Sequence, residues 1–188
     1  MTLDLRASLR RRKPERRRTP LRRRQRSALP SLADLDALPQ PALLLDTNVY
    51  IRNAGGTLPA EVEGCLDRAL LFHCSVCLSE LAAGIAKASP GGERWRALRD
   101  HYAAIFEAIP ANRLLVPDAA IWAEAGLVAG TLARLQGFQR GQAKECLNDA
   151  LILLTAAREG LPVLTADHGD FDLIQQLVPE GRFVGFDL

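Results

Sequence analysis

The chain has no apolar run of about 18 residues, which excludes a membrane-spanning helix. No apolar stretch follows the early arginines, so they do not read as a secretory or twin-arginine signal. Cysteines number four, Cys65, Cys74, Cys77 and Cys146. Without an export signal they read as free thiols in a reducing cytoplasm rather than a disulfide framework. Cys74 and Cys77 resemble half a zinc site. No second cysteine or histidine pair lies at the required spacing, so core packing is the better account of them. Aromatic residues make up 5% of the chain, too few for an extended base-stacking surface. There is no internal repeat, which excludes solenoids and arrays.

What is present is a sharp division of charge. Twelve of the 24 basic residues and two of the 22 acidic ones fall in residues 1–30. That segment therefore carries +10 and the remainder −8. It contains arginine clusters broken by Pro14 and Pro20 and has almost nothing to bury. Disorder in isolation is expected for it. A basic arm on an acidic body points to a polyanion. Arg10, Arg11, Arg12, Arg16, Arg17, Arg18, Arg22, Arg23 and Arg24 are the candidate nucleic-acid contacts. A solvated arm or an organelle transit peptide are the blander readings. Pro30, Pro39 and Pro41 mark a linker, so the chain divides into residues 1–41 and a globular domain over 42–188. Of its 188 residues 48% are hydrophobic, enough for a substantial core.

Within the domain, strands alternate with helices. Strands are expected at 42–45, 72–76, 113–116, 162–164 and 182–186. Helices are expected from Thr47 to about 55, at 59–71, 78–87, 93–108, 118–135, 145–159 and 171–177, with a polar loop over 137–144. This alternation predicts an α/β fold with a mostly parallel five-stranded sheet and helices on both faces. Strand C-terminal ends then share one edge, where ligands bind.

Five carboxylates fall at or near that edge. Asp46 ends the first strand, where a helix cap is an equally good account. Glu80 lies early in an apolar helix, where the helix dipole alone would favour it. The small residues after it, Ala82, Ala83 and Gly84, would let that helix pack closely on a neighbour. Asp149 sits in a helix that is apolar nearly all round, yet buried carboxylates are rare unless paired or metal-bound. Its bland alternative is an ion pair with Lys144 or Arg140. Asp167 follows the fourth strand in what reads as a turn, and Asp170 precedes Phe171 as a possible cap. All five holding only local roles at one sheet edge is the less economical account. Several acids together without a cation call for a divalent metal.

The four segments in order resemble the PIN-domain nucleases, and most closely the VapC-type toxins of bacterial toxin–antitoxin pairs. The resemblance covers about residues 42–188. It rests on Asp46-Thr47-Asn48 after the first strand and on Ser75 to Gly84 with Glu80. It rests also on Asn148-Asp149-Ala150-Leu151-Ile152 in a helix and on Thr165-Ala166-Asp167-His168-Gly169-Asp170-Phe171.

The resemblance implies an endoribonuclease dependent on Mg²⁺ or Mn²⁺, with Asp46 and Asp149 as core ligands. Glu80 would hold a second metal or orient the water, and Asp167 would complete the cluster. Thr47, Asn48 and Thr165 would support these groups, while Asp167 and Asp170 compete for the fourth role. It further implies an RNA substrate, a small cognate antitoxin and a homodimer in the cytoplasm. A non-catalytic RNA-binding or ribosome-associated PIN-fold protein is the alternative. A phosphoryl-accepting domain fits poorly, because Asp46 has no paired acid beside it and no DxDxT follows the strand.

Overall fold

A computed structural model describes residues 4–187; the first three residues of the arm and Leu188 lie outside them. The domain's strands are β1 (Ala42–Leu45), β2 (Leu70–Cys74), β3 (Leu114–Leu115), β4 (Pro162–Thr165) and β5 (Arg182–Gly185). They form one sheet in the order β3-β2-β1-β4-β5, and every pairing is parallel. Leu43 and Leu44 of β1 are wholly buried, as expected for a central strand covered on both faces. The chain leaves β1 toward β2 on one side and later returns to β4 on the other. The junction of β1 and β4 is thus the point where strand order reverses, and a crevice opens there at the strand C-terminal ends.

Eight helices are described. The first, α1 (Leu5–Arg12), belongs to the arm. The others are α2 (Thr47–Ala54), α3 (Ala60–Arg68), α4 (Ser75–Lys87), α5 (Glu93–Ala108), α6 (Ala119–Gln136), α7 (Arg140–Arg158) and α8 (His168–Gln175). Among the described residues, no helix is long and apolar enough to cross a membrane. Phe171, Phe183, Leu151, Ile152 and Leu153 are fully buried and join α7 and α8 to the sheet. Cys65, Cys74, Cys77 and Cys146 are all buried free thiols, in keeping with the packing account of the cysteine pair.

Several boundaries differ from expectation, among them the end of α3, which stops at Arg68 rather than 71 because Leu70 and Leu71 join β2. β2 begins two residues early because Leu70 pairs opposite Ala42, where β1 itself starts. The strand therefore ends by Cys74, and Ser75 to Cys77 open α4 instead of extending β2. The expected loop over 137–144 is mostly the first turn of α7. Gly137 ends α6 in a left-handed conformation, φ 67°. Gln139 and Gln142 then form a reciprocal capping box that starts α7 at Arg140. Lastly, α8 starts at His168 because the Asp167 side chain accepts from the Asp170 N–H at 3.0 Å. Asp167, and not Asp170, is the cap. Ala82, Ala83 and Gly84 of α4 are exposed rather than packed on a neighbour.

The arm lies along the acidic body. Asp4 caps α1, which packs on α6. Arg12 is buried. It pairs with Glu124 at 2.7 Å and with Glu180, and donates to the Leu177 carbonyl at 3.1 Å. Arg134 then donates to the carbonyls of Pro14 and Arg17, and Gln136 to that of Leu21. Beyond, the arm crosses α8. Gln176 donates to the Arg22 carbonyl, and the Arg24 N–H and guanidinium both reach Asp172. It ends on β5, where Pro30 accepts from the Gly185 N–H at 3.0 Å. Disorder is the expectation for this arm by itself; against the body, its arginines find acids.

Candidate active site

An open cleft of about 420 Å³ lies at the β1/β4 junction, lined by Asp46, Thr47, Asn48, Ile51, Glu80, Glu145, Asp149, Asp167 and Asp170. All five candidate carboxylates are therefore brought together, from four separate segments. Asp46 reaches it from the end of β1, Glu80 from the second turn of α4, and Asp149 from the middle of α7. Asp167 and Asp170 come from the start of α8.

Hydrogen bonds fix the floor of the cleft. Asp46 is 4% exposed. Its carboxylate accepts from the Thr47 N–H at 2.7 Å, the Asn48 side chain at 2.5 Å and the Thr165 hydroxyl at 2.6 Å. The Thr165 oxygen accepts in turn from Asn48 and from the Asp167 N–H at 2.9 Å. Asn48 also accepts from the Ala166 N–H at 3.1 Å. Asn48 and Thr165 thus tie the β1–α2 turn to the β4–α8 turn. Glu80 is held from both sides, by the Thr47 hydroxyl and by the Asn148 amide at 2.6 Å.

A model of the PIN domain family matches residues 43–176, a span that holds every acid of the cleft and leaves out the arm. The chain belongs to the PIN domain family. Solved structures similar to it share this fold. One is VapBC2 from Rickettsia felis bound to a DNA fragment from their promoter, at 16% identity and TM-score 0.54, covering 78% of this chain and 99% of that one. Another is FitAcB from Neisseria gonorrhoeae, at 23% identity and TM-score 0.54, covering 76% and 96%. A search of curated proteins finds no match.

The electrostatics of this PIN domain's cleft are those of crowded acids. Burial pushes Asp46 up to about 7, against the hydrogen bonds from Thr165 and Thr47; the charges of Glu80 and Asp167 add to the rise. Burial, then the charges of Asp46, Asp167, Asp170 and Glu80, hold Asp149 well above the usual carboxylate range. Asp170 is raised by burial and by Asp167, with Arg23 opposing. Among the described residues, Asp149 makes no ion pair with Lys144, Arg140 or any other cation. That removes the bland account of its burial.

No three of these side chains, among the described residues, converge closely enough to enclose an ion as they stand. The hydrogen bonds explain this, since Asp46, Glu80 and Asp167 are each turned toward protein donors. The donor set still suits a hard divalent cation. It is all oxygen and it opens to solvent, and burial together with neighbouring acids raises Asp46 and Asp149, a shift that a bound cation would oppose.

Sequence reasoning misses Ile51 and Glu145, which line the cleft, and Asn148, which braces it. Asn148 positions Glu80, and its place beside Asp149 in the helix was the available signal. Glu145 lies one turn before Asp149, so both meet the cleft from one helix face.

The two cleft acids at the start of α8, its cap Asp167 and Asp170, should separate on mutation. Asp167→Ala removes a cleft carboxylate and a cap, so activity should fall by orders of magnitude and stability by about 1 kcal/mol. Asp170→Ala should leave the cap intact and change the rate less. Cleavage rates and melting curves on both variants check this. A larger rate loss in Asp170→Ala would make Asp170 the fourth acid.

Proposed function

We propose that this PIN domain is a metal-dependent endoribonuclease and the toxin of a toxin–antitoxin pair. The observation that carries the reading is the set of uncompensated carboxylates at the strand-order switch point. Asp46 and Asp149 would hold Mg²⁺ or Mn²⁺, with Glu80 and Asp167 completing the set. The bound cation would supply a polarised water and offset charge on the phosphate.

The chain's own side chains do the rest. Thr47 and Asn148 keep Glu80 aimed into the cleft, where it can orient a water and take its proton. Asn48 and Thr165 hold Asp46 in one rotamer. In-line attack by that water would break the P–O3′ bond, leaving a 5′-phosphate and a 3′-hydroxyl. Arg16, Arg17, Arg18 and Arg22, four of the arm's exposed arginines, would add phosphate contacts without base preference.

The toxin role is supported by likeness to the VapBC2 and FitAcB structures. It implies a small antitoxin as partner and a homodimer in the cytoplasm. Incubating the purified protein with single-stranded RNA and Mn²⁺ tests the reading. Cleavage should occur within the chain and stop on chelation. Tight RNA binding without cleavage would favour the non-catalytic alternative.

A further inference from the structure

The arm carries one arginine to the mouth of the acid cleft and fixes it there. Arg22 is anchored through its carbonyl on Gln176 at 3.0 Å. Arg24 is anchored through its N–H on Asp172 at 2.7 Å and through its guanidinium on the same carboxylate. Asp172 is wholly buried, so this anchor is not a loose surface pair.

The residue between the two anchors, Arg23, therefore has a set backbone position. Its guanidinium donates to Asp170 at 2.7 Å while the side chain stays 60% exposed. It lies flat on the first turn of α8. A Cβ at Gly169 would stand 2.8 Å from the guanidinium carbon, so glycine there permits the close approach.

Arg23 does not line the cleft, whereas Asp170 does. It is a rim, not a plug. A guanidinium has five N–H donors. The one directed to Asp170 leaves others turned to solvent, at the edge of a site where six of nine lining residues are acids.

We infer that Arg23 binds a phosphate next to the scissile one, so that the nucleic-acid strand leaves the acid cleft over the start of α8 and onto the arm. This deepens the nuclease reading and rests on it. Preorganisation by the two anchors makes the contact more effective than one from a freely moving arginine. Arg23 acts as a substrate-binding residue, and the bond-breaking atoms do not require it.

The test compares wild type with Arg23→Ala and Arg23→Lys on two substrates in Mn²⁺. One is a single-stranded RNA oligonucleotide. The other is bis(p-nitrophenyl) phosphate, which has no neighbouring phosphate. For Arg23→Ala, KM on the RNA should rise about tenfold, the scale of one charged hydrogen bond, with kcat little changed. Hydrolysis of the small diester should stay at the wild-type rate, and Arg23→Lys should recover part of the KM. The slope of log affinity against log salt should fall by about 0.7, one single-strand phosphate contact.

An unchanged KM and slope on RNA would overturn the inference and leave the nuclease reading standing. Equal losses on both substrates would also overturn it, because Arg23 would then act only by holding Asp170. A rise in activity on both would make the arm an inhibitory cover instead. Wild-type protein inert toward both substrates would overturn the nuclease reading and this inference together.

Discussion

Asp46→Asn should abolish RNA cleavage and, above neutral pH, raise the melting temperature of the metal-free protein. Both effects come from one carboxylate. Its pKa in the folded chain is about 7 against an ordinary 3.8. The folded state thus holds a proton that the unfolded state has released between those values. Stability is full below about pH 4 and falls as pH rises through 7. A rise of about three units corresponds to on the order of 4 kcal/mol lost by pH 8. Asparagine carries no charge to repel, so it recovers most of that. It gives back about 1 kcal/mol, because only one of its two terminal atoms can accept from Thr47, Asn48 and Thr165. Asp149→Asn should behave alike, since burial and its neighbours raise Asp149 in the same direction. The measurement is a melting curve at pH 5 and pH 8 with cleavage assayed beside it. Variants that melt equally at pH 5 but above wild type at pH 8 match expectation. Full activity in either would remove that acid from the site.

Arg12→Met should destabilise the protein by about 3–5 kcal/mol, the usual cost of stranding a buried charge. The Arg12 side chain is 4% exposed and Glu124 is 9% exposed. Among the described residues, only Arg11, at 3.4 Å and largely in solvent, would remain beside Glu124. Replacing both members, Arg12→Met with Glu124→Met, should recover much of the loss, because no buried charge is then stranded; Glu180 also loses Arg12 but is 45% exposed and keeps its water. Denaturant midpoints for the two single variants and the double variant measure this. Additive losses would mean the pair is not coupled. Removing residues 5–29 should be at least as damaging, because Asp172 would lose Arg24 and the core would lose Leu29. The cleaner test of RNA contact is neutralisation of Arg16, Arg17, Arg18 and Arg22, which among the described residues make no ion pair with the body. If all four touch single-stranded phosphate, the salt slope should fall by about three.

The cleft was legible in the sequence because its parts are local signals. A short leucine strand ending in Asp46, an aspartate in a helix with no polar face, and a Thr-Ala-Asp turn each announce themselves. An alternating α/β pattern then places them at one edge. Boundaries were less legible where tertiary pairing overrides composition. Ser75 and Val76 look like strand, but β1 sets where β2 must end. Gly141 and the polar residues around it look like loop, but the Gln139–Gln142 box starts a helix there. The course of the arm was not legible at all. Composition shows a +10 segment beside a −8 body, yet nothing local pairs Arg12 with Glu124, 112 residues away. Which arginines serve the body and which stay free is decided by packing.

On the proposed reading, the carboxylates of the cleft hydrolyse a phosphodiester bond with the help of a divalent metal. The most direct measurement is the chemistry of the ends made from a defined RNA, with Mn²⁺ and with chelator, for wild type and Asp149→Asn. Fragments bearing 5′-phosphate and 3′-hydroxyl ends are expected, formed by wild type only when the metal is present and not by the variant. Fragments ending in 2′,3′-cyclic phosphate, or cleavage that persists in chelator, would contradict that reading.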